Sequence, residues 1–207
     1  MAERGQHGAE RHEAVEYALL GLLRDGPGHG YRLAAAFGPS GRLGLIVRLK
    51  MSQLYAYLHK LERTGWLTMT DEGETAPDGQ SGKEAGRMRR VFALTSAGEN
   101  AFDAWLATPI TATREMRLTF LLKLAFALHD PMQARTLVAR QREASATWLG
   151  RLRAQEARVR SDGGEDAPVG QEERLIRLLT LRQRIRLSEA TLAWLDETSQ
   201  IIINQVD

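Results

Sequence analysis

The sequence predicts a mainly α-helical protein, with a short pair of β-strands in its N-terminal half and long helices in its C-terminal half. Three observations support this fold class. Apolar residues recur at helical spacing in three segments before Gly65. Two short runs of strand-forming residues follow, on either side of a Gly-, Glu- and Asp-rich stretch without periodicity. From Pro109 onward, apolar residues repeat at steps of three and four over long segments.

The first two helices are short and separated by residues that disfavour helix. The apolar spacing predicts a helix over Glu13–Arg24 and another that begins near His29 or Gly30 and ends at Phe37. The stretch Asp25–Gly28 separates them, because glycine and proline are poorly suited to a helix interior. Residues 1–12 are polar and are predicted to form a disordered tail. We expect three parts in the chain: the tail over residues 1–12, a first domain over residues 13–108, and a helical second domain over residues 109–207.

The third helix, predicted over Lys50–Trp66, has one apolar stripe and an otherwise polar surface. Leu54, Leu58 and Leu61 form the stripe, and Gly65 suits the left-handed position that ends a helix. The remaining surface carries hydrogen-bonding and cationic side chains, which is typical of a helix that enters a DNA major groove. A solvated surface helix has the same pattern, and by itself that explanation is the more common one.

The residues after this helix favour the DNA-binding interpretation. Two strands are predicted, over Trp66–Thr70 and Arg87–Leu94, joined by a loop over Asp71–Gly86. Thr95 or Ser96 is then expected to cap the next helix, which leads to Pro109. Three helices followed by a two-stranded wing make a winged helix-turn-helix domain. Arginines on the second strand lie where a wing would meet phosphate.

Three blocks of the sequence resemble the PadR-like family of transcriptional regulators. They are Glu16-Tyr-Ala-Leu-Leu-Gly-Leu-Leu-Arg-Asp-Gly-Pro-Gly-His-Gly-Tyr31, Ser52-Gln-Leu-Tyr-Ala-Tyr-Leu-His-Lys-Leu-Glu-Arg-Thr-Gly-Trp-Leu67 and Arg87-Met-Arg-Arg-Val-Phe-Ala-Leu-Thr-Ser-Ala-Gly98. Their order is that of the family, and together they span about residues 14–105. The resemblance implies a sequence-specific transcriptional repressor that binds a palindromic operator in double-stranded DNA.

The residues expected to contact DNA lie on the second and third helices and on the wing. They are Tyr31, Lys50, Ser52, Gln53, Tyr55, His59, Lys60, Lys83, Arg87, Arg89 and Arg90. The resemblance also implies a homodimer held by C-terminal helices and a small hydrophobic or aromatic effector that releases a repressor from DNA. Candidates for an effector pocket are Trp105, Trp148 and Trp194, although ordinary packing explains any one tryptophan more simply.

The C-terminal half is predicted to be an α-helical dimerisation domain. Met116–Leu128 is apolar almost all round, so this helix must be buried on several sides. Another helix follows Asp130, and after a turn over Ser161–Gly170 the last helix has apolar residues at heptad spacing. The residues predicted to hold a dimer together are Leu121, Leu178, Leu181, Ile185, Leu192 and Leu195. A helical domain closed within a monomer is the alternative.

Composition excludes several other classes of protein. The chain has no cysteine, so disulfides and Cys-ligated metals are impossible. Its five histidines show no metal-ligand spacing outside the N-terminal tail, and no catalytic motif is present. We therefore predict a cytoplasmic protein that is not an enzyme and needs no cofactor or membrane. The alternative function is a winged-helix protein-interaction module that does not recognise a DNA sequence.

Overall fold

The computed structural model describes the backbone of residues 2–72, 89–161 and 170–204, and the side chains of residues 12–71, 90–161 and 170–204. The chain divides into two compact units, Met1–Thr108 with Leu121–Phe126, and Pro109–Phe120 with Ala127–Asp207. In chain order the elements are α1 (Ala2–Leu22), β1 (Gly28–His29), α2 (Gly30–Ala36), α3 (Met51–Arg63), β2 (Leu67–Glu72), β3 (Arg89–Leu94), α4 (Ser96–Ala107), α5 (Leu121–Ala127), α6 (Pro131–Ser161) and α7 (Gln171–Asn204).

The first unit is built on the helices that the apolar spacing predicts. Leu54 and Leu58 of α3 are fully buried, and Leu61 is 1% exposed, so the predicted stripe is the core face of this helix. The helix α1 begins at Ala2, whereas we predicted a tail over residues 1–12 and a helix from Glu13. Alanine, glutamate and arginine have good helix propensity, and no proline interrupts the chain before Pro27, so the helix can extend backwards.

A three-stranded antiparallel sheet completes the first unit. The predicted wing strands pair as β2 and β3, from Leu67 opposite Leu94 to Glu72 opposite Arg89. The two-residue strand β1, which the sequence does not predict, pairs with the other edge of β3 through Gly28 and Phe92. Two residues are too short to show strand periodicity. The sheet order is therefore β1-β3-β2, with β3 in the centre.

Gly65 and Thr95 join the end of α3 to the start of α4. Gly65 has a φ of +76°, which confirms the predicted left-handed position and favours glycine there. The Thr95 hydroxyl donates a hydrogen bond to the Gly65 carbonyl oxygen at 2.7 Å. The Thr95 hydroxyl oxygen accepts a hydrogen bond from the backbone N–H of Gly98 at 3.1 Å, so Thr95 and not Ser96 is the cap.

The second unit is dominated by the pairing of α6 with α7. Leu149 and Leu152 of α6 form one buried cluster with Leu181 and Ile185 of α7. Ion pairs flank this seam, including Arg153 with Glu189 at 2.8 Å. The two helices thus bury an apolar seam between them within one chain.

The segment predicted as one helix over Met116–Leu128 is divided in the structure. A π-helical turn covers Met116–Phe120 and α5 follows from Leu121. The turn belongs to the second unit, whereas Leu121–Phe126 belongs to the first. Phe126 packs edge-on against Phe102 of α4, with ring centroids 5.4 Å apart. The nearly continuous apolar surface of this segment is therefore buried in two different cores.

Candidate nucleic-acid interface

The first turn of α3 presents polar side chains to solvent. Ser52 and Gln53 are exposed, and so is Ala56 one turn later, while Leu54 between them is fully buried. Burial of the leucine stripe fixes the orientation of the helix and leaves the predicted base-reading residues on the free surface. Such an arrangement lets N-terminal side chains of a recognition helix reach base edges.

Gln53 also stabilises the helix that carries it. Its side-chain Oε1 accepts a hydrogen bond from the backbone N–H of Lys50, the N-cap residue, at 3.2 Å. This is one half of a capping box, in which the third helical residue reaches back to the cap. The amide NH₂ of Gln53 remains available as a donor, and Oε1 retains a second lone pair. Gln53 therefore stabilises the start of the helix, and its contact with a base stays a prediction.

The two tyrosines predicted to contact DNA are in different environments. Tyr31 is 57% exposed and stacks on His29, with ring centroids 5.4 Å apart. Tyr55 is half-buried, and its ring is tilted against Phe92. A Cβ added to Gly30 would lie 2.6 Å from the Tyr55 hydroxyl oxygen, so glycine is needed beside this ring. Tyr31 is exposed to solvent, whereas Tyr55 packs partly against the sheet. A DNA contact stays a prediction for both residues.

Several of the predicted cations are already paired with acidic side chains. Lys60 donates to Glu16 of α1 at 2.5 Å, and His59 Nδ1 lies 3.5 Å from Glu62 Oε2. On the wing, Arg90 lies 3.7 Å from Asp71 on the neighbouring strand. These pairs join residues that are close in space but follow no sequence motif. They reduce the positive charge that this surface offers to phosphate.

Other predicted contacts lie partly outside the described residues. Lys83 and Arg87 are outside them, and for Arg89 only the backbone, paired in β3, is described. Arg63 is a further candidate, a cation on the polar surface of α3 that was left out of the predicted DNA contacts. It is exposed at the end of α3, and no ion pair or hydrogen bond joins its guanidinium to a described residue. Its position three residues after Lys60, on the same helix face, could have identified it.

An open groove of about 750 Å³ lies between α1 and α3. Its walls include the rings of Tyr17, Tyr57 and Trp66 and the side chains of Glu16 and Lys60. Tyr17 and Trp66 are in contact, with ring centroids 5.7 Å apart. Burial raises the pKa of Tyr17, and the nearby negative charges of Glu13 and Glu16 raise it further. The groove therefore has aromatic walls beside an ion pair that links the two helices.

The residues predicted to hold a dimer together are largely covered within one chain. Leu195 is fully buried, and Leu181 and Ile185 are 5% and 7% exposed. Leu192 packs against the cluster formed by α6 and α7, and Leu178 is half-buried. Leu121 begins α5, which belongs to the first unit. The part of the seam around Leu181 and Ile185 therefore packs against α6 within one chain. For Leu121, Leu178 and Leu195 the role in a dimer stays a prediction.

A second apolar face of α7 is open to solvent. Its members are each between 50% and 59% exposed: Leu175, Ile176, Leu179, Leu187 and Ile201. Leu179 and the buried Leu181 are two positions apart, which is about 200° of rotation around a helix. The last helix therefore has apolar residues on two nearly opposite faces, of which α6 covers one.

The three tryptophans proposed for an effector pocket pack in separate places. Trp105 stacks on Tyr17 in the first unit, with centroids 5.1 Å apart and planes inclined by 11°. In the second unit, Trp194 lies edge-on to Phe120, and the Arg184 guanidinium lies over Trp148. Trp148 lines a cavity of about 10 Å³, which has room for about one water molecule. This cavity is too small for an aromatic ligand in the present conformation.

The described side chains contain no group of three or more His, Asp or Glu residues that could hold a metal ion. In the same part of the chain, no helix is both long and apolar enough to cross a membrane.

Two family descriptions match successive parts of the chain. Residues 19–104 match the Transcriptional regulator PadR-like family, and residues 116–202 match the Virulence activator alpha C-term family. The first match covers the helices and wing described above. The second covers the segment from the π-helical turn into α7. The boundary between the two matches lies close to the point where the chain passes from one compact unit to the other.

Two curated proteins and one solved structure are similar to the chain. The chain is 26% identical to the Probable transcriptional regulator Rv1176c of Mycobacterium tuberculosis, over 91% of this chain and 97% of that protein. It is 30% identical to the Negative transcriptional regulator PadR of Bacillus subtilis, over 54% of this chain and 56% of that protein. A crystal structure of Bacillus subtilis PadR in complex with operator DNA is 22% identical, with a TM-score of 0.40, and the match covers 89% of this chain and 97% of that one.

Both curated relatives are named as transcriptional regulators, the class that the sequence analysis predicts for this chain. The matched residues 19–104 contain nearly all of the three blocks from which the resemblance was inferred. Over residues 19–104, the chain is therefore similar to the PadR-like family of transcriptional regulators.

Proposed function

We propose that this protein is a dimeric, sequence-specific repressor that binds a palindromic operator through α3. The observation that carries the proposal is the exposed first turn of α3, where Ser52 and Gln53 project from a helix whose opposite face is fully buried. Lys50 and Tyr31 are also exposed in the same unit, and we expect them to make further contacts with DNA. A base-reading turn on a rigidly packed helix is the arrangement used by helix-turn-helix proteins.

Repression is supported by the name of the Bacillus subtilis relative, which is a negative regulator. The family matched by the C-terminal half is named for a virulence activator, so the direction of regulation needs its own test. A reporter gene placed behind the operator provides that test. Repression predicts that reporter expression rises when the gene for this protein is deleted.

The dimer is supported by the open apolar face of α7, which includes Leu175, Leu179 and Leu187. Apolar side chains on one face of a long helix are stabilised when a second apolar helix covers them. A second copy of the same chain offers such a face, and a two-fold axis then presents two copies of α3 to two half-sites. The interface we propose thus replaces the seam predicted from the heptads.

We also propose that a small aromatic or hydrophobic effector releases the repressor from DNA. The cavity beside Trp148 would have to widen from its present volume of about 10 Å³ before a ring could enter. Tryptophan fluorescence, measured while candidate aromatic compounds are added, would detect such an event, because a ligand that enters beside Trp148 changes the surroundings of its ring.

Salt titration distinguishes DNA binding from a protein-interaction module. Affinity for a random duplex should fall steeply as salt rises, since each phosphate contact contributes about −0.9 to the slope of log K against log salt. Affinity for an operator selected from genomic fragments should be about 10³-fold tighter or more at the same salt. A flat salt response with no selected sequence would favour the protein-interaction module.

A further inference from the structure

The carboxylate of Glu16 is a buried charge in the DNA-binding unit. Its side chain is 8% exposed, and it accepts a hydrogen bond from the Lys60 ammonium at 2.5 Å. The Lys60 side chain is 51% exposed and extends from the polar face of α3. The pair joins α1 to α3 across 44 positions of sequence. A cation on the proposed DNA-binding helix is thus held by an acid on another helix.

Burial of Glu16 makes this pair more costly to break than an ordinary surface ion pair. A buried carboxylate that loses its cation is left as an unpaired charge in a poorly solvated site, which is strongly destabilising. Lys60 is the cation that the structure places on Glu16. A DNA phosphate that takes up the Lys60 ammonium must therefore leave Glu16 without compensation. The cost of leaving Glu16 unpaired therefore disfavours a contact between Lys60 and phosphate, even though half of the Lys60 side chain is accessible.

We propose that Glu16 is a specificity-determining residue, which holds Lys60 away from DNA phosphate and so limits non-specific binding. The inference rests on the proposed function, because it applies to a protein that binds DNA. Phosphate contacts add affinity for every duplex equally, whereas base contacts by Ser52 and Gln53 favour the operator. With Lys60 retained by Glu16, a larger share of the binding energy comes from contacts that depend on sequence.

Glu13 offers a matched control. It lies one turn before Glu16 on the same helix and lines the same groove, but it is exposed. No ion pair or hydrogen bond joins it to a described residue. Glu13→Gln removes the same charge at a similar position without releasing a cation, so it reports the general effect of charge on DNA binding.

The test measures the salt dependence of binding to a random duplex for the full chain and its variants. Glu16→Gln keeps the shape of the side chain but weakens its hold on Lys60. The slope of log K against log salt should become steeper by about 0.9 for each chain bound, as expected for one added phosphate contact. The ratio of operator to random-duplex affinity should fall. Glu13→Gln should leave the slope unchanged, and Glu16→Gln with Lys60→Gln should restore it.

Lys60→Gln alone keeps the test decisive if Glu16→Gln does not fold. The glutamine amide can still donate to Glu16, so the buried carboxylate keeps a partner. The slope should equal that of the unaltered protein. A slope shallower by about 0.9 would overturn the inference, because Lys60 would already be bound to phosphate. An unchanged slope in folded Glu16→Gln would also overturn it. Absence of any salt dependence in the unaltered protein would instead reject the proposed function.

Discussion

The helices α3 and α7 have the same kind of buried face but different free faces. In α3 the leucines at positions 54, 58 and 61 are buried, and the free face is polar, with exposed Ser52 and Gln53. In α7 one apolar face is buried against α6, and a second apolar face with Leu179 is open. The buried faces determine how each helix packs. The free faces differ in chemistry, and we infer from them a polyanionic partner for α3 and an apolar one for α7.

The largest expected effect comes from the buried face of α7. Leu195→Ala should reduce the free energy of unfolding by about 2–5 kcal/mol, because Leu195 is fully buried and its removal leaves a cavity. Urea denaturation followed by circular dichroism measures this loss. Leu179→Ala is the control on the open face. Its effect should depend on protein concentration, whereas that of Leu195→Ala should persist at every concentration. Equal behaviour of the two variants would contradict the division of α7 into an intrachain and an interchain face.

A charge on the open face of α7 should separate assembly from folding. Leu179→Glu should give a folded monomer by sedimentation at micromolar concentration, because Leu179 is 51% exposed in the single chain. Its operator affinity should fall by about 100-fold or more, since two independent subunits lose their effective concentration at neighbouring half-sites. Gln133→Glu, at an exposed position on α6, serves as the charge control. A Leu179→Glu protein that remains dimeric would place the interface elsewhere.

The free face of α3 should show a smaller and more local effect. Gln53→Ala should reduce discrimination at one base pair in each half-site by roughly 1–3 kcal/mol, while binding to random duplex changes little. Competition between operators altered at single positions measures this change. Gln53→Glu is informative because its carboxylate can still accept from the Lys50 N–H and preserve the start of the helix. If both variants retain the original base preference, Gln53 does not read DNA.

The smallest effect is expected at the flank of the α6–α7 seam. A hydrogen bond from Arg153 lowers the pKa of Glu189, and a second hydrogen bond from Arg186 lowers it further. Its contribution to stability is therefore present above the pKa of the unfolded chain, and it is lost as pH falls through the lowered pKa of the folded protein. Glu189→Gln should slightly lower the unfolding midpoint at pH 7, and the difference should vanish in acid. A difference that grew on acidification would contradict this sign.

Local patterns predicted the elements of the first unit well. The leucine stripe of α3, the positive φ of Gly65 and the pairing of two wing strands all follow from spacing and residue type over a few positions. The strand β1 could not be predicted this way, because its two residues depend on the free edge of β3. The contact of Lys60 with Glu16 depends on how α1 packs against α3, which no local pattern contains.

In the C-terminal half, the apolar repeat predicted that a seam is buried but not which helix buries it. The heptad spacing in α7 correctly indicated a buried seam, but spacing alone does not say whether the same chain or another one covers it. In the structure α6 supplies the cover. The open face with Leu175, Leu179 and Leu187 was present in the sequence at steps of four and eight. The heptad prediction did not include this face because it assigned only one apolar seam to the helix.

The arrangement of half-sites in the operator tests most directly whether α3 reads DNA while the open face of α7 joins two copies. Genomic fragments bound by the protein can be sequenced, and the protected bases located by hydroxyl-radical footprinting. We predict two inverted half-sites whose centres are about 10 base pairs, or a multiple of that distance, apart. The Leu179→Glu protein should protect each half-site independently, and it should need a higher protein concentration to do so. One asymmetric site, protected equally by the unaltered protein and by Leu179→Glu, would contradict both roles.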